Sequence, residues 1–326
     1  MELGVDASLG LSFKKLQAAA QQTFMDLSAF PADFDVQAEM QICRDQGHKG
    51  LSELVRWSLV DYKPQGQDYG RYKLHDLARI FALTRQQEEQ KAAISERHAS
   101  YYKDLLSAAD DLYLKGGDGI LASLALFDLE EANILAGQAW AAKSMEKDPS
   151  AAEICMRYPD AGAYVLDLRL HPRQKIAWLE NGLEAAKELK HRSIEGDHLG
   201  NLGNAYADLG ETRKAIGHYE QALAIAKEIG DRRNEGAWLG NLGNAYAALG
   251  ETRKAIEHYG QRLIIAREIG DRRGEANALF NSSLALFELG KNSEAIEKAE
   301  SALQIFVQIE SPYADRVKQQ LAEWRR

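Results

Sequence analysis

The 326-residue chain contains only two cysteines and six prolines, and no run approaches eighteen consecutive apolar residues. Each shortage excludes something. Cys43 and Cys155 stand far apart, which gives neither a metal-ligand spacing nor a disulfide framework and makes a reducing cytoplasm the default compartment. Both read as small buried apolar residues. Without a long apolar run, or a basic start followed by an apolar stretch, neither a membrane span nor a signal peptide is expected. Scarce proline beside abundant Ala, Leu, Glu and Lys points to helices. Positive charge is also short: 40 Lys and Arg against 49 Asp and Glu give a formal −9, which argues against gripping nucleic acid or an anionic membrane. No G-x-x-x-x-G-K-[ST] phosphate loop occurs; "GHKG" (Gly47–Gly50) and "KGGDG" (Lys115–Gly119) lack its spacing and read as interhelical loops. The eight histidines are scattered, and no Ser-His-Asp or Cys-His arrangement can be argued from spacing. The chain is therefore read as non-enzymatic, with no cofactor of its own.

What is present is a repeat. Leu199–Arg233 aligns with Leu239–Arg273 over 35 positions, of which six differ, at a period of 40 residues. Self-similarity at a fixed period is the signature of stacked units. Leu199, Leu202, Ala205 and Tyr206 recur at helical spacing, Leu209-Gly210 breaks the helix, and Ala215, Ile216, Tyr219, Ala222, Leu223 and Ala226 form the apolar stripe of a second helix. Gly203 and Ala215 are expected where the paired helices cross closely, with Tyr206 and Tyr219 filling space between units. Weaker copies flank the pair. "NSSLALFELGKNSEAIEKAESALQIF" follows it, "KIAWLENGLEAAKELKHRSIEG" precedes it behind a degenerate first helix near Ala161–Leu170, and "ADRVKQQLAEWRR" closes the array as a capping helix.

These spacings resemble the tetratricopeptide repeat, whose small–aromatic–small pattern falls on Gly203, Tyr206, Ala215, Tyr219 and Ala222. The next copy departs from it at Arg262, where a small residue belongs. The 40-residue period exceeds the usual 34 or so and is similar to the long-helix variant of kinesin light chains. The resemblance implies a right-handed α-solenoid whose first helices line a concave groove. Asn201, Asn204, Asn241, Asn244 and Asn281 then form a ladder along that groove, with Asp197, Asp208, Asn277, Arg233 and Arg273 as neighbours. Asn offers a donor and an acceptor, and so matches both groups of a peptide backbone. The rival reading is that these amides bond the adjacent repeat and only set the superhelix. Against it, Asn costs about 0.5 kcal/mol relative to Ala in a helix. The "DRR" triplets (Asp231–Arg233, Asp271–Arg273) either bind an acidic ligand or pair with Glu235 and Glu275.

Residues 1–85 have a different grain: helices, then "GLSELVRWSLVDY" running into a strand, a hairpin tip at "KPQGQDYG", a returning strand "RYKLHD", and the helix "LARIFALTRQQ". Helices followed by a two-stranded wing describe a winged helix. The stretches "DASLGLSFKKL", "LSAFPADFDVQA", "LSELVRWSLVDY" and "RYKLHDLARIFA" resemble the winged-helix segment that follows the nucleotide-binding module in NB-ARC-type STAND ATPases. In that family a Met-His-Asp-type motif touches the nucleotide phosphate. Here it is Leu74-His75-Asp76, so the resemblance implies nucleotide sensing by His75 and Asp76, with ATP or ADP bound by an upstream module. Asp76 is also expected to cap the helix that follows. Residues 1–100 carry 12 Lys/Arg against 14 Asp/Glu, a net −2, which disfavours DNA reading by the wing.

The expected organisation is mainly α: a winged helix (1–85), a helical bridge (86–160) with "MEKDPS" as linker candidate, and about four repeats with a capping helix (161–326). In the bridge, Tyr101, Tyr102, Leu126, Leu129, Ile134 and Trp140 are expected in the core. The expected role is a sensor and protein-binding scaffold of a STAND-type regulator. A constitutive adaptor and a winged-helix transcriptional regulator are the alternatives.

Overall fold

The computed structural model describes residues 3–65 and 69–325. Among them are seventeen α-helices and one two-stranded sheet. The chain divides into two compact units, with the boundary between Leu170 and His171. Among the described residues no helix is long and apolar enough to cross a membrane.

In the first unit, α1 (Leu3–Lys15), α2 (Ala18–Asp26), α3 (Val36–Cys43) and α4 (Lys49–Arg56) precede the hairpin β1 (Val60–Gln65) and β2 (Tyr69–Leu74), and α5 (Asp76–Leu83) follows. Phe13, Phe24 and Phe81 meet in edge-on and tilted contacts with ring centroids 5.7–6.1 Å apart, joining α1, α2 and α5. Asp35 caps α3 by accepting from the Ala38 N–H at 2.7 Å. The hairpin is antiparallel, with Val60 opposite Leu74. Phe34 adds a further bridge by exchanging both backbone hydrogen bonds with Tyr72. Of the tip expected over Lys63–Gly70, Lys63–Gln65 and Tyr69–Gly70 belong to the paired strands, and residues 66–68 lie outside the described residues. Cys43 and Cys155 are both buried, and no disulfide joins them.

The helices α6 (Glu88–Leu114), α7 (Asp118–Ser144), α8 (Pro149–Ala161) and α9 (Ala163–Arg169) complete this unit. Tyr102, Phe127 and Ile134 lie in its interior. Leu129, expected there, is 47% exposed; the inward positions on its turn belong to Phe127 and Glu130. "MEKDPS" is a tight turn rather than a linker: Met145 is buried, and Asp148 caps α8 through the Ser150 N–H. The degenerate helix expected near Ala161–Leu170 is the short α9. Gly137 lets α7 approach α6 and α8, because a Cβ there would fall 2.3 Å from the Tyr158 hydroxyl, itself bonded to the Ala99 carbonyl.

A buried ionic network ties the hairpin to this helical part. Arg71 of β2 is 4% exposed and donates to Asp33 (2.8 Å) and to Glu130 of α7, while Asn133 bridges the Asp33 carbonyl and Glu130 at 3.0 Å each. Removing Glu130 leaves Arg71 with Asp33 as its remaining counter-charge and takes away one charge-assisted bond and one partner of Asn133. We expect Glu130→Ala to destabilise the first unit by about 1.5–3 kcal/mol. Asp128→Ala, which breaks the exposed Arg169–Asp128 pair, costs under about 1 kcal/mol. Hydrogen exchange of α6 and α7 amides measures both, and equal costs would refute the buried-network account.

The second unit opens with α10 (Pro172–Glu188) and continues as three helix pairs: α11 (Arg192–Asp208) with α12 (Thr212–Ile229), α13 (Arg232–Ala248) with α14 (Thr252–Glu268), and α15 (Arg272–Glu288) with α16 (Asn292–Gln308). The cap α17 (Tyr313–Trp324) ends it. The α11–α12 turn is closed by Gly210 and the α12–α13 turn by Gly230, at φ +75° and +73°, the left-handed region that strains residues with a side chain. In α17 Ala314, Val317 and Leu321 turn inward and Trp324 stacks on Phe287 with ring centroids 4.5 Å apart, while Asp315, Lys318, Gln319 and Glu323 face solvent.

Candidate functional site

The first helix of each pair packs on its second helix through glycines. A Cβ on Gly203 would lie 2.4 Å from the Tyr219 ring, and one on Gly243 2.4 Å from Tyr259. The close partner of Gly203 is thus Tyr219 rather than Ala215. Tyr219 packs within its own pair while stacking on Trp238 of the next, ring centroids 6.3 Å apart. Tyr206 is half-buried and stacks on His218 at 5.2 Å.

With the glycine stripe turned toward the second helix, the asparagines fall on an adjoining face, and the structure bonds them in a regular order. The Tyr219 hydroxyl donates to Asn204 Oδ1 at 2.8 Å, and Asn241 Nδ2 donates to the same oxygen at 3.0 Å. One repeat on, the Tyr259 hydroxyl and Asn281 Nδ2 donate to Asn244 Oδ1 at 2.9 and 3.1 Å. Four of the five predicted asparagines are therefore joined as two rungs. Asn201, half-buried, precedes them with no side-chain bond among the described residues. Each rung uses one carbonyl oxygen and one amide group. Asn204 and Asn244 keep Nδ2, and Asn241 and Asn281 keep Oδ1, without a partner among the described residues. A second link joins the same helices, Asn234 Nδ2 donating to Asp197 at 2.9 Å.

Burial raises the Tyr219 and Tyr259 hydroxyls to about 12, with the charges of Asp208 and Glu288 adding to the shift at the respective rings. Both tyrosines therefore stay protonated donors across the physiological range. A shallow cavity of about 220 Å³ opens beside the second rung, lined by Asn244, Ala247, Tyr259, Asn281, Leu284 and Glu288. Asp208 is exposed at the C-terminal end of α11.

The arginines divide differently from expectation. Arg232 and Arg272, the first of each pair, bond Glu235 and Glu275 at 2.6 and 2.5 Å. Arg233 and Arg273 are exposed and form no ion pair among the described residues. The first arginine is one turn before the glutamate on the same helix, within reach of it; the second points elsewhere. In the first unit, His75 rather than Asp76 caps α5, Nδ1 accepting from the Leu77 N–H at 3.3 Å. Asp76 is the first helical residue, and both are exposed.

Sequence reasoning took the tyrosines as space fillers and missed their hydroxyls. The signal was available: Asn204–Tyr219 and Asn244–Tyr259 stand fifteen residues apart, and the third repeat changes both members, to Leu284 and Ala299. Tyr219→Phe should therefore cost about 1 kcal/mol with helicity retained. Tyr206→Phe, whose hydroxyl reaches exposed Glu180 at 3.3 Å, should cost less in the same urea titration; the reverse order would refute the pinning role.

Residues 195–268 and 234–306 match the tetratricopeptide repeat family. No curated protein matches the chain significantly. Among solved structures, the apo form of RapI is 12% identical, with a TM-score of 0.53 over 88% of this chain and 68% of that one. A putative kinesin light chain with nearly identical TPR-like repeats from Podosopora anserina is 16% identical (TM-score 0.48), over 65% of this chain and 98% of that one. A signal transduction ATPase with numerous domains and a tetratricopeptide repeat sensor, from Pyrococcus horikoshii, is 17% identical (TM-score 0.32). There the match covers 96% of this chain and only 53% of that protein. The helix pairs of residues 195–306 are thus tetratricopeptide repeats.

Proposed function

We propose that the second unit is a protein-binding scaffold that holds an extended peptide segment on the asparagine face of α11, α13 and α15. The observation that carries this reading is the division of labour within each rung. One carbonyl fixes the amides in place through the tyrosine and the neighbouring asparagine. One Nδ2 donor and one Oδ1 acceptor per rung are left to a ligand. Along each edge a strand presents the N–H and C=O of every second residue, so a pre-oriented donor–acceptor pair repeated once per helix pair suits it, and fixing the amides in advance lowers the ordering cost of binding. The rival, purely architectural role is served by the same bonds, but it leaves the uncommitted halves of the amides without use.

A library of displayed random octapeptides tests this. The parent chain should enrich ligands, and a variant with Asn241, Asn244 and Asn281 all changed to Ala should lose about 10- to 100-fold in affinity for them, at up to ~1 kcal/mol per lost hydrogen bond. Tyr219→Phe, which loosens the first rung but keeps the amides, serves as the control for stability. Equal affinity in parent and triple variant would assign the asparagines to architecture alone.

Residues 1–85 are read on their resemblance as a winged helix that couples repeat occupancy to a nucleotide-binding module upstream, as in STAND-type regulators. The support on the chain is the Leu74-His75-Asp76 motif at the start of α5, in which Leu74 is buried and His75 and Asp76 are exposed beside Leu77 and Ile80, themselves 38% and 44% exposed. His75→Asn separates capping from sensing, because Asn caps helices well. In a longer protein carrying both modules, this variant should release bound nucleotide faster while leaving the fold intact. Unchanged nucleotide retention would leave the constitutive-adaptor reading in its place.

A further inference from the structure

The two near-identical repeats differ sharply at one interior position. Ala222 of α12 and its counterpart Ala302 of α16 are both fully buried, whereas the equivalent residue of α14 is Arg262. Its surroundings explain how a large side chain fits. In the first repeat the space over Gly200 is filled by Trp238 of the next helix pair; a Cβ on Gly200 would fall 2.1 Å from that ring. One repeat later the counterpart of Trp238 is Ala278, and Arg262 lies over Gly240 instead, Nη1 only 1.8 Å from where a Cβ would stand.

Volume accounts for the stem and not for the charge, since Met or Leu would fill the same gap. Arg262 is half-buried, and burial pushes its guanidinium pKa down, with Asp271 and Tyr259 acting in the opposite direction. No acceptor among the described residues hydrogen-bonds it. Other arginines of these repeats, Arg192, Arg232, Arg267 and Arg272, each bond a glutamate. A desolvated cation with no bonded acceptor is costly unless an anion completes it. Its location supplies the context. Arg262 is one turn along α14 from Tyr259, whose hydroxyl holds the second rung, and its charge acts on that ring. On α13, Gly240 adjoins Asn241, which belongs to the first rung.

We propose that Arg262 is a specificity-determining residue for an acidic side chain, Asp or Glu, of the peptide lying across the asparagine rungs. This rests on the groove reading above. A side chain is favoured over a terminal carboxylate because Arg262 neighbours residues of both rungs, Tyr259 of the second and, through Gly240, Asn241 of the first, so a strand that spans the rungs continues past it.

The test uses immobilised octapeptides that are degenerate except at one position fixed as Asp, Glu, Asn, Gln or Lys, each made with amidated and with free C-termini. These are probed with the parent chain, Arg262→Ala, Arg262→Met and the triple asparagine variant. Arg262→Met keeps the volume and removes the charge, so it should melt at or above the parent temperature; Arg262→Ala restores the residue found in the flanking repeats but leaves open the space that Trp238 fills one repeat earlier, so it should melt below Arg262→Met. The parent should prefer Asp or Glu over Asn or Gln at one internal position of amidated peptides by about 10- to 100-fold, the range for hydrogen bonds to a charged group. Both arginine variants should lose that preference while still binding the neutral peptides. A preference that survives Arg262→Ala, or its absence among peptides that bind, overturns the proposal. An Arg262-dependent preference for free C-termini alone overturns the side-chain assignment. Peptides bound equally by the parent and the triple asparagine variant instead overturn the groove reading, and this inference with it.

Discussion

The distance between the two helices of each repeat is set where a glycine backbone meets an aromatic ring, Gly203 against Tyr219 and Gly243 against Tyr259. Adding one carbon at either glycine would place it well inside the ring's contact distance. The close approach brings each tyrosine hydroxyl to the asparagine one position along, and the hydroxyl orients the carboxamide. The next repeat's asparagine then docks on the same oxygen. Interior packing is thus transmitted to the exposed face in two bonds. A larger residue at the glycine would not only open the core; it would withdraw the donor that holds the amide. The glycines are placed by packing, and the surface chemistry depends on them.

Charge is handled differently in the two units. In the repeats, Arg232 bridges Glu235 and Glu268, and Arg192 bridges Glu195 and Glu228, along an exposed edge. Screened pairs of this kind contribute little individually, but their repetition at each helix pair fixes where arginines are already satisfied, and so makes an unsatisfied one visible. The first unit instead spends its ionic interaction inside, at Arg71, Asp33 and Glu130. A buried network is weak evidence for added stability and stronger evidence for a defined arrangement, because displaced partners find no water. In this unit it fixes the hairpin against α7, a defined relation for an element proposed to pass on a signal.

Much of the second unit was legible because a duplicated sequence carries its own comparison. The period, the paired helices, the closing glycines and the asparagine series follow from aligning the chain with itself. The tyrosine hydroxyls could have been found the same way, since the Asn–Tyr pair is kept or lost as a unit at fifteen-residue separation. The asparagines' partners were harder: helical spacing assigns a face but not which of two amides donates. The arginine pairs show the same limit, since "DRR" does not say that Arg232 rather than Arg233 turns toward Glu235. The first unit offers no internal comparison. The contact between Arg71 and Glu130, 59 residues apart, has no periodicity to reveal it, and the helix cap at His75 rather than Asp76 rests on a one-residue offset that composition does not fix.

Near-identity between neighbouring repeats also sharpens the meaning of what differs. Two copies this alike have had little divergence in which to accumulate neutral change in the core, where packing restricts it further. Of the six positions that separate them, four lie on the second helices where side chains are exposed or partly so, at Gly217, Glu220, Ala224 and Lys227 and their counterparts. Asp208 against Ala248 alters the charge at one end of the asparagine face. Only Ala222 against Arg262 places a charge where the flanking repeats keep a fully buried methyl group, and it does so at the step where Trp238 gives way to Ala278. The aromatic-to-alanine exchange opens a space that an aliphatic residue could close more cheaply. The guanidinium placed there, within electrostatic reach of the hydroxyl that pins the second rung, breaks the symmetry of an otherwise repetitive surface, and a repetitive surface needs one such break to bind a strand in a single register.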